Sequence, residues 1–291
     1  MGIGDDFKTF CGNLTVNNRG DISNRYKAIT KRLNLDFWNS TSDTDHSRYV
    51  GSYGRETAIR GFSDLDMLFI LKDVDFLRYS QYSGNGESAL LQAIKNSIKE
   101  TYPNTNVGGD GQVVVVEFSD KMKFEVVPCF TTSDNGFLYP DANDGGRWRI
   151  TNPLPEIQAV SDMDKKCNGN LKELCRMARS WKNEWNVPMG GLLIDTLAHN
   201  FLKDWGNKDK GYLYYDWMSR DFFNYLSNQN TEQSYWLAIG SGQYIYRKGL
   251  FEYKAKQCYN LAVEAIEKYE KYPFTARGKW RDIYGTAFPA S

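Results

Sequence analysis

At 291 residues, 41% of them hydrophobic, the chain is long enough for one large domain or two small ones sharing a core. Its 36 Lys and Arg balance 36 Asp and Glu, and residues 1–150 carry 17 basic and 20 acidic side chains against 19 and 16 in residues 151–291. That balance argues against a surface built to blanket a nucleic-acid backbone and leaves room for a local basic pocket for a small anion.

No apolar run approaches the roughly 18 residues of a membrane-spanning helix. The start, Met1-Gly2-Ile3-Gly4-Asp5-Asp6, has no basic-then-apolar signal pattern, so a cytoplasmic protein with no membrane partner is expected. Residues 18–38 predict a helix, with Ile22, Tyr26, Ile29, Leu33 and Phe37 at spacings of three and four and Asp21 or Ser23 as its cap. A polar stretch follows, in which His46 has no evident partner and is expected at the surface. Asp64 to Leu71 begins with alternation and predicts a strand. Glu87 to Tyr102 predicts a helix that stops before Pro103, and Val113–Phe118 and Lys123–Phe130 predict two strands across a hairpin-sized gap. Thr132 to Pro155, rich in Gly, Asp, Asn and Pro, reads as irregular. Helical periodicity then dominates, over Leu171–Glu184, Leu192–Trp205, Ser219–Leu226 and Lys254–Tyr272. Strands in the first half and helices in the second predict an α+β domain with a mostly helical one. The five cysteines are scattered without a C-x-x-C pair, so buried reduced thiols are expected rather than a zinc site. The tyrosine-rich stretch Tyr212, Tyr214, Tyr215 and Trp217 reads as core or interface.

The chemistry concentrates in Gly51-Ser52 and Asp64-x-Asp66. Strand side chains alternate faces, so Asp64 and Asp66 point the same way, about 7 Å apart along the strand. Two like charges held side by side are costly unless a cation offsets them. Magnesium, a hard ion with oxygen ligands, is the natural partner when phosphates are also present. A third carboxylate is expected from a neighbouring strand. Glu125 sits in an otherwise apolar run and shares its face with Lys123 and Val127, while Glu117 competes from the preceding strand and Asp110 and Asp120 lie in flanking turns. Gly51 permits close backbone approach, and Ser52 offers a hydroxyl and an amide to a phosphate oxygen.

Gly51-Ser52, Asp64-x-Asp66 and Glu125 together resemble the nucleotidyltransferase pattern of the DNA polymerase β superfamily. More narrowly they resemble the bacterial cGAS/DncV-like nucleotidyltransferases (CD-NTases). Gly51 to Ala58 followed by Phe62-Ser63-Asp64-Leu65-Asp66 is similar to that group's opening signature, and the likeness continues through Phe124 to Pro128, Thr151-Asn152-Pro153 and Leu174 to Lys182. The departures are Glu125, where many relatives have Asp, and Gly190-Gly191, where relatives often carry a serine that touches the donor triphosphate.

The resemblance implies an α+β fold, a polymerase β-like core with a mixed sheet packed against a C-terminal helical domain. Residues 1–155 would form the nucleotidyltransferase core with its N-terminal helix, and residues 156–291 the helical domain closing the active-site cleft. It implies two Mg²⁺ ions, with Mn²⁺ able to replace them, on the catalytic carboxylates Asp64, Asp66 and Glu125. Gly51, Ser52, Arg176, Arg179 and Lys182 would bind nucleotide, the arginines three apart on one helix face. The implied activity is template-independent synthesis of a cyclic di- or trinucleotide second messenger from NTPs, at least one a purine, with release of pyrophosphate, in anti-phage signalling. No template nucleic acid is expected, and the downstream effector would bind the product rather than this protein. The alternatives are a linear oligoadenylate-type enzyme, an RNA- or protein-nucleotidylating transferase, and an inactive nucleotide-binding sensor.

Overall fold

The structure, a computed structural model, describes residues 2–61 and 64–290. In chain order its elements are α1 (Ile3–Leu14), α2 (Arg19–Trp38), β1 (Ser47–Tyr49), the short α3 (Gly51–Gly54), β2 (Leu65–Ile70), α4 (Asp73–Ser80), α5 (Gly86–Thr101), β3 (Asn106–Asp110), β4 (Val113–Glu117), β5 (Lys123–Thr131), β6 (Phe137–Asp141) and β7 (Arg147–Thr151). Then come α6 (Leu154–Lys166), α7 (Asn170–Glu184), α8 (Gly191–Asp204), α9 (Tyr215–Ser227), β8 (Tyr235–Leu237), β9 (Tyr244–Tyr246), α10 (Glu252–Lys268) and α11 (Pro273–Tyr284).

The chain divides into two compact units. The first comprises Asn17–Gly54 and Ser63–Leu154, the second Met1–Val16, Arg55–Phe62 and Pro155–Ser291. The division differs from the grouping of residues 1–155, since α1 and the segment after the Gly-Ser turn fall in the helical unit. The reason is apolar. Phe7, Phe10, Cys11 and Leu14 recur along one face of α1 and join the core of the helical unit, where Phe7 meets Trp280 edge-on at 5.0 Å.

The sheet unit carries a mixed sheet in the order β1-β2-β5-β4-β3, with β6 paired to β5 and β7 to β6. β2 and β5 run parallel, and their neighbours pair antiparallel. Burial alternates along the strands. Val114 and Val116 on β4 and Phe124 and Val126 on β5 are fully buried, while Lys123, Glu125 and Val127 are half-buried. The buried face is matched by apolar helix residues such as Ile29 and Leu33 of α2 and Leu90, Ile94 and Ile98 of α5, and those two helices pack together. Each fully buried side chain of this size contributes roughly 1.5–3 kcal/mol, which fixes the register. The acidic residues are thereby left on the opposite face.

The helical unit is built on Trp181 and Trp280, both fully buried. Trp181 donates its indole N–H to Cys258 Sγ at 3.1 Å. All five cysteines are buried and free. Among the described residues no helix is long and apolar enough to cross a membrane.

Three local expectations are corrected. Thr132 to Pro155 is not irregular: it contains the β6–β7 hairpin, in which Phe137 faces Thr151, and buried Asp141 is tied to Arg147 and Arg149 across it. Lys254–Tyr272 is not one helix, because α10 ends at Lys268 and Pro273, with no N–H to donate, opens α11. The helix at 19–38 is flanked by Asn18 without a side-chain cap, and Asp21 and Ser23 lie inside it.

Candidate active site

β2 and β5 set the geometry of the acidic face. Their parallel register puts Asp66 directly opposite Glu125, and Leu65 and Met67 opposite the buried Phe124 and Val126. Asp64 precedes β2 and its side chain is half exposed. The turn at Gly51 lies against the same strand: the Val50 amide donates to the Asp66 carbonyl at 2.9 Å. Gly51 has φ +59°, and a Cβ at this position would overlap Asp66 Oδ2. Glycine is required here both for its backbone and for its missing side chain. Phe62 and Ser63, part of the signature read from the sequence, lie outside the described residues.

The competing acids fall elsewhere. Glu117 is one strand further out, opposite Lys123, and accepts a hydrogen bond from Asn106 Nδ2 at 3.1 Å. It is Val115, not Glu117, that sits opposite Glu125. Asp120 pairs with Arg25 at 2.9 Å, and that contact pulls its carboxyl below the ordinary range. Asp110 faces Val113 at the β3–β4 turn.

Sequence reasoning gave Lys123 no chemical role. Its ammonium lies 2.7 Å from Glu125 Oε1 and 3.6 Å from Asp64 Oδ2. The hydrogen bond to Glu125 raises the lysine above its usual value against a smaller effect of burial. The signal was present in the sequence as a lysine two residues before Glu125, on the same strand face. Among the described residues no three acidic, histidine or cysteine side chains close on one point as a metal cage does. What the acids do present is an all-oxygen donor set with a cation between two of its members. That suits a hard divalent ion, since the site already attracts positive charge.

In the helical unit the basic residues of α7 part company. Arg176 is largely covered, donating to the Glu56 carbonyl at 2.8 Å and pairing with Glu173 at 2.9 Å. Arg179 has a different setting. It is buried, and its guanidinium bonds Asp195 Oδ2 at 2.8 Å, the Gly191 carbonyl at 3.1 Å and the Cys175 carbonyl at 3.2 Å. Those donors are engaged inside the protein. Gly191 explains part of this arrangement, since a Cβ there would stand 3.1 Å from the guanidinium. Lys182 remains half-buried and makes no ion pair with a described residue.

Arg55 and Thr57, in the signature but without an assigned role, join the same buried cluster. Arg55 Nε and Thr57 Oγ1 donate to Asp195 Oδ2 at 2.8 and 3.0 Å. Arg55 also faces Glu156 Oε2 at 3.5 Å, and Ser241 donates to Glu156 Oε1 at 2.8 Å. Burial pushes the Asp195 carboxyl up, but the two arginines outweigh it and hold the group down at about 2. Glu156 moves the other way, burial raising it above its ordinary value. The available signal for Asp195 was an acid inside the apolar run Leu192-Leu193-Ile194-Asp195-Thr196-Leu197-Ala198.

One other expectation changes and one is met. His46 is not a bare surface residue: it stacks on Trp38 at 3.7 Å, and its Nδ1 lies 2.7 Å from Asn34 Oδ1. Tyr215 is core, donating its hydroxyl to Asn170 Oδ1 at 2.8 Å.

Residues 1–164 match the Second Messenger Oligonucleotide or Dinucleotide Synthetase domain, SMODS. A cyclic AMP-AMP-AMP synthase from an Acinetobacter species is 23% identical over 262 residues, covering 84% of this chain and 73% of the relative. Among solved structures, E. coli CdnC in its complex with HORMA-deltaN superposes with a TM-score of 0.69 at 14% identity, over 98% of both chains. Vibrio cholerae DncV, a cyclic AMP-GMP synthase, superposes with a TM-score of 0.66 at 12% identity, over 96% of this chain and 93% of that one. These two likenesses concern the fold.

Proposed function

This chain belongs to the family of Second Messenger Oligonucleotide or Dinucleotide Synthetase domains, and from that premise we propose that it joins nucleoside triphosphates, without a template, into a cyclic di- or trinucleotide signal. The observation that carries the reading is the Asp66–Glu125 pair in register across two parallel strands, with Asp64 two residues away and the Gly51-Ser52 turn against Asp66. A protein that only bound nucleotide would gain nothing from three carboxylates on one face, because phosphates repel them.

In this reading Ser52 offers its hydroxyl and amide to the phosphates of the donor nucleotide, and Gly51 lets the backbone approach them. Asp64, Asp66 and Glu125 would hold two Mg²⁺ ions, which supply charge neutralisation and a lowered pKa for the acceptor hydroxyl when bound. Asp64 and Asp66 would serve both the donor and the acceptor side, and Glu125 would serve the side of the acceptor hydroxyl. The acceptor ribose hydroxyl gives up its proton to water, its oxygen forms a bond to the donor α-phosphorus, the bond to the bridging oxygen breaks, and pyrophosphate leaves with the electron pair. Repeating the step within the linear intermediate closes the ring. Lys182 is the residue of α7 we assign to the triphosphate, since Arg179 is consumed by Asp195 and Arg176 by Glu56 and Glu173.

The adenine-containing products named for the Acinetobacter and Vibrio relatives support a purine among the substrates. A cyclic product has no terminal phosphate and diffuses freely, so an effector would recognise it away from the synthase. Such a signal fits the anti-phage role that the family resemblance implies. The test is to incubate the purified chain with α-labelled NTPs, singly and in pairs, with Mg²⁺ or Mn²⁺, and then to treat with phosphatase. Label in a small compound whose mass phosphatase leaves unchanged supports the reading. Label found only in phosphatase-sensitive chains, or transferred to RNA or protein, contradicts it.

A further inference from the structure

We propose that Lys123 is a resident cation of the acidic site, a positioning residue that holds Asp64 and Glu125 in the metal-free protein and yields its place when a divalent ion binds. The inference rests on the reading of Asp64, Asp66 and Glu125 as metal ligands, and it adds a residue that neither the sequence motif nor the family likeness assigns.

The geometry is specific. Strand alternation places Lys123 on the face of Glu125, and its Nζ lies 2.7 Å from Glu125 Oε1 and 3.6 Å from Asp64 Oδ2. It therefore bridges the acid of β5 to the acid that precedes β2. Three carboxylates gathered on neighbouring strands repel one another, and a single positive charge between two of them offsets part of that repulsion. The Asp66 carboxylate lies against Gly51. The ammonium covers the Asp64–Glu125 side of the site.

A divalent ion held by Asp64 and Glu125 would place its charge beside the ammonium that now lies against both. Repulsion between the two cations favours displacement of the lysine when the ion binds. Lys123 is equipped to leave: its side chain is one-third exposed and sits on a flexible four-carbon stem, with water available to the freed ammonium. The consequence is a pair of opposite effects from one substitution. Removing the charge while keeping the stem, as in Lys123→Met, should strengthen divalent-ion binding because the competitor is gone. The same change should destabilise the metal-free protein, because the acids lose their bridge.

The experiment measures Mn²⁺ binding by electron paramagnetic resonance, with no nucleotide present, alongside thermal melting with and without Mg²⁺. The proteins are the full chain, Lys123→Met, Lys121→Met and Asp64→Asn/Asp66→Asn. Lys121 is an exposed lysine in the turn before β5 and controls for a general loss of positive charge. A partly exposed ion pair is worth about a two- to five-fold change in affinity, and that is the tightening expected for Lys123→Met. Its metal-free melting temperature should fall and its Mg²⁺-induced rise should grow, while Lys121→Met does neither. Equal or weaker Mn²⁺ binding by Lys123→Met overturns the proposal, as does the same tightening in Lys121→Met. Undiminished Mn²⁺ binding by Asp64→Asn/Asp66→Asn would instead overturn the metal-site reading beneath it.

Discussion

Asp66 and Glu125 stand opposite each other in the parallel register of β2 and β5, with the buried Met67 and Val126 opposite each other one step along. The apolar pair fixes the acidic pair, because a one-residue slip would drive a carboxylate into the core and an apolar side chain out of it. The packing of one sheet face thus sets the chemistry of the other.

That relationship separates Glu125 from Glu117. Glu125→Gln keeps the shape and removes the charge, and turnover should fall by at least a hundred-fold on the scale of losing a group used in the reacting complex. Glu117→Gln, one strand away, should leave turnover within about two-fold, as a surface change does. Steady-state pyrophosphate release measures both. A lethal Glu117→Gln with a harmless Glu125→Gln would place the third acid on β4.

Gly51→Ala tests the close approach of the turn to Asp66. The φ of +59° disfavours a side chain, and the added methyl meets Asp66 Oδ2. Strain of this kind costs roughly 1–3 kcal/mol, so the melting temperature should drop and activity should fall with it. Normal activity at normal stability would mean that Asp66 can move without consequence.

The buried cluster around Asp195 makes a prediction about stability rather than nucleotide affinity. Asp195→Ala strands Arg55 and Arg179 without their shared partner, and breaking a buried pair of this kind costs about 3–5 kcal/mol. Urea unfolding without nucleotide would show it. Arg179→Ala should behave similarly, whereas Lys182→Ala should leave stability alone and weaken NTP binding. An Arg179→Ala protein of normal stability with poor NTP affinity would return that arginine to the phosphates.

The pH dependence follows from the same carboxyl. Asp195 is held at about 2, below its ordinary value of 3.8, so its contribution to stability is present above that ordinary value and is lost as pH falls toward about 2. Glu156, raised by burial, has the opposite sign: its favourable part is present at low pH and lost as pH rises through its raised value. The free energy of unfolding should therefore fall steeply between about pH 4 and pH 2 in the wild type and less steeply in Asp195→Asn. Equal slopes would contradict the assignment.

The sequence carried β2, β4 and β5, the helices α2, α5, α7, α8, α9 and α10, and the shared face of Asp66 and Glu125, because alternation and helical spacing are local properties. It did not carry α1 as part of the helical unit, since the partners of Phe7 and Phe10, such as Trp280 and Phe288, lie at the far end of the chain. Nor did it separate Arg176 from Arg179. Helical spacing puts the two on one side, but only the position of Asp195 on α8 shows that one of them is buried in an ion pair. The β6–β7 hairpin was hidden because its strands carry Gly, Asp and Pro, and Asp141 is stabilised by arginines from the partner strand.

The central claim, a ring made at the Asp66–Glu125 face, is tested most directly by the intact mass of the product. Purified wild-type protein with Mg²⁺ and NTPs should yield a compound whose mass is a whole number of nucleoside monophosphate units, each less one water, as ring closure requires. Glu125→Gln should yield none of it. A product heavier by one pyrophosphoric acid, as a linear chain that keeps its 5′-triphosphate is, or a full yield from Glu125→Gln, would contradict the account.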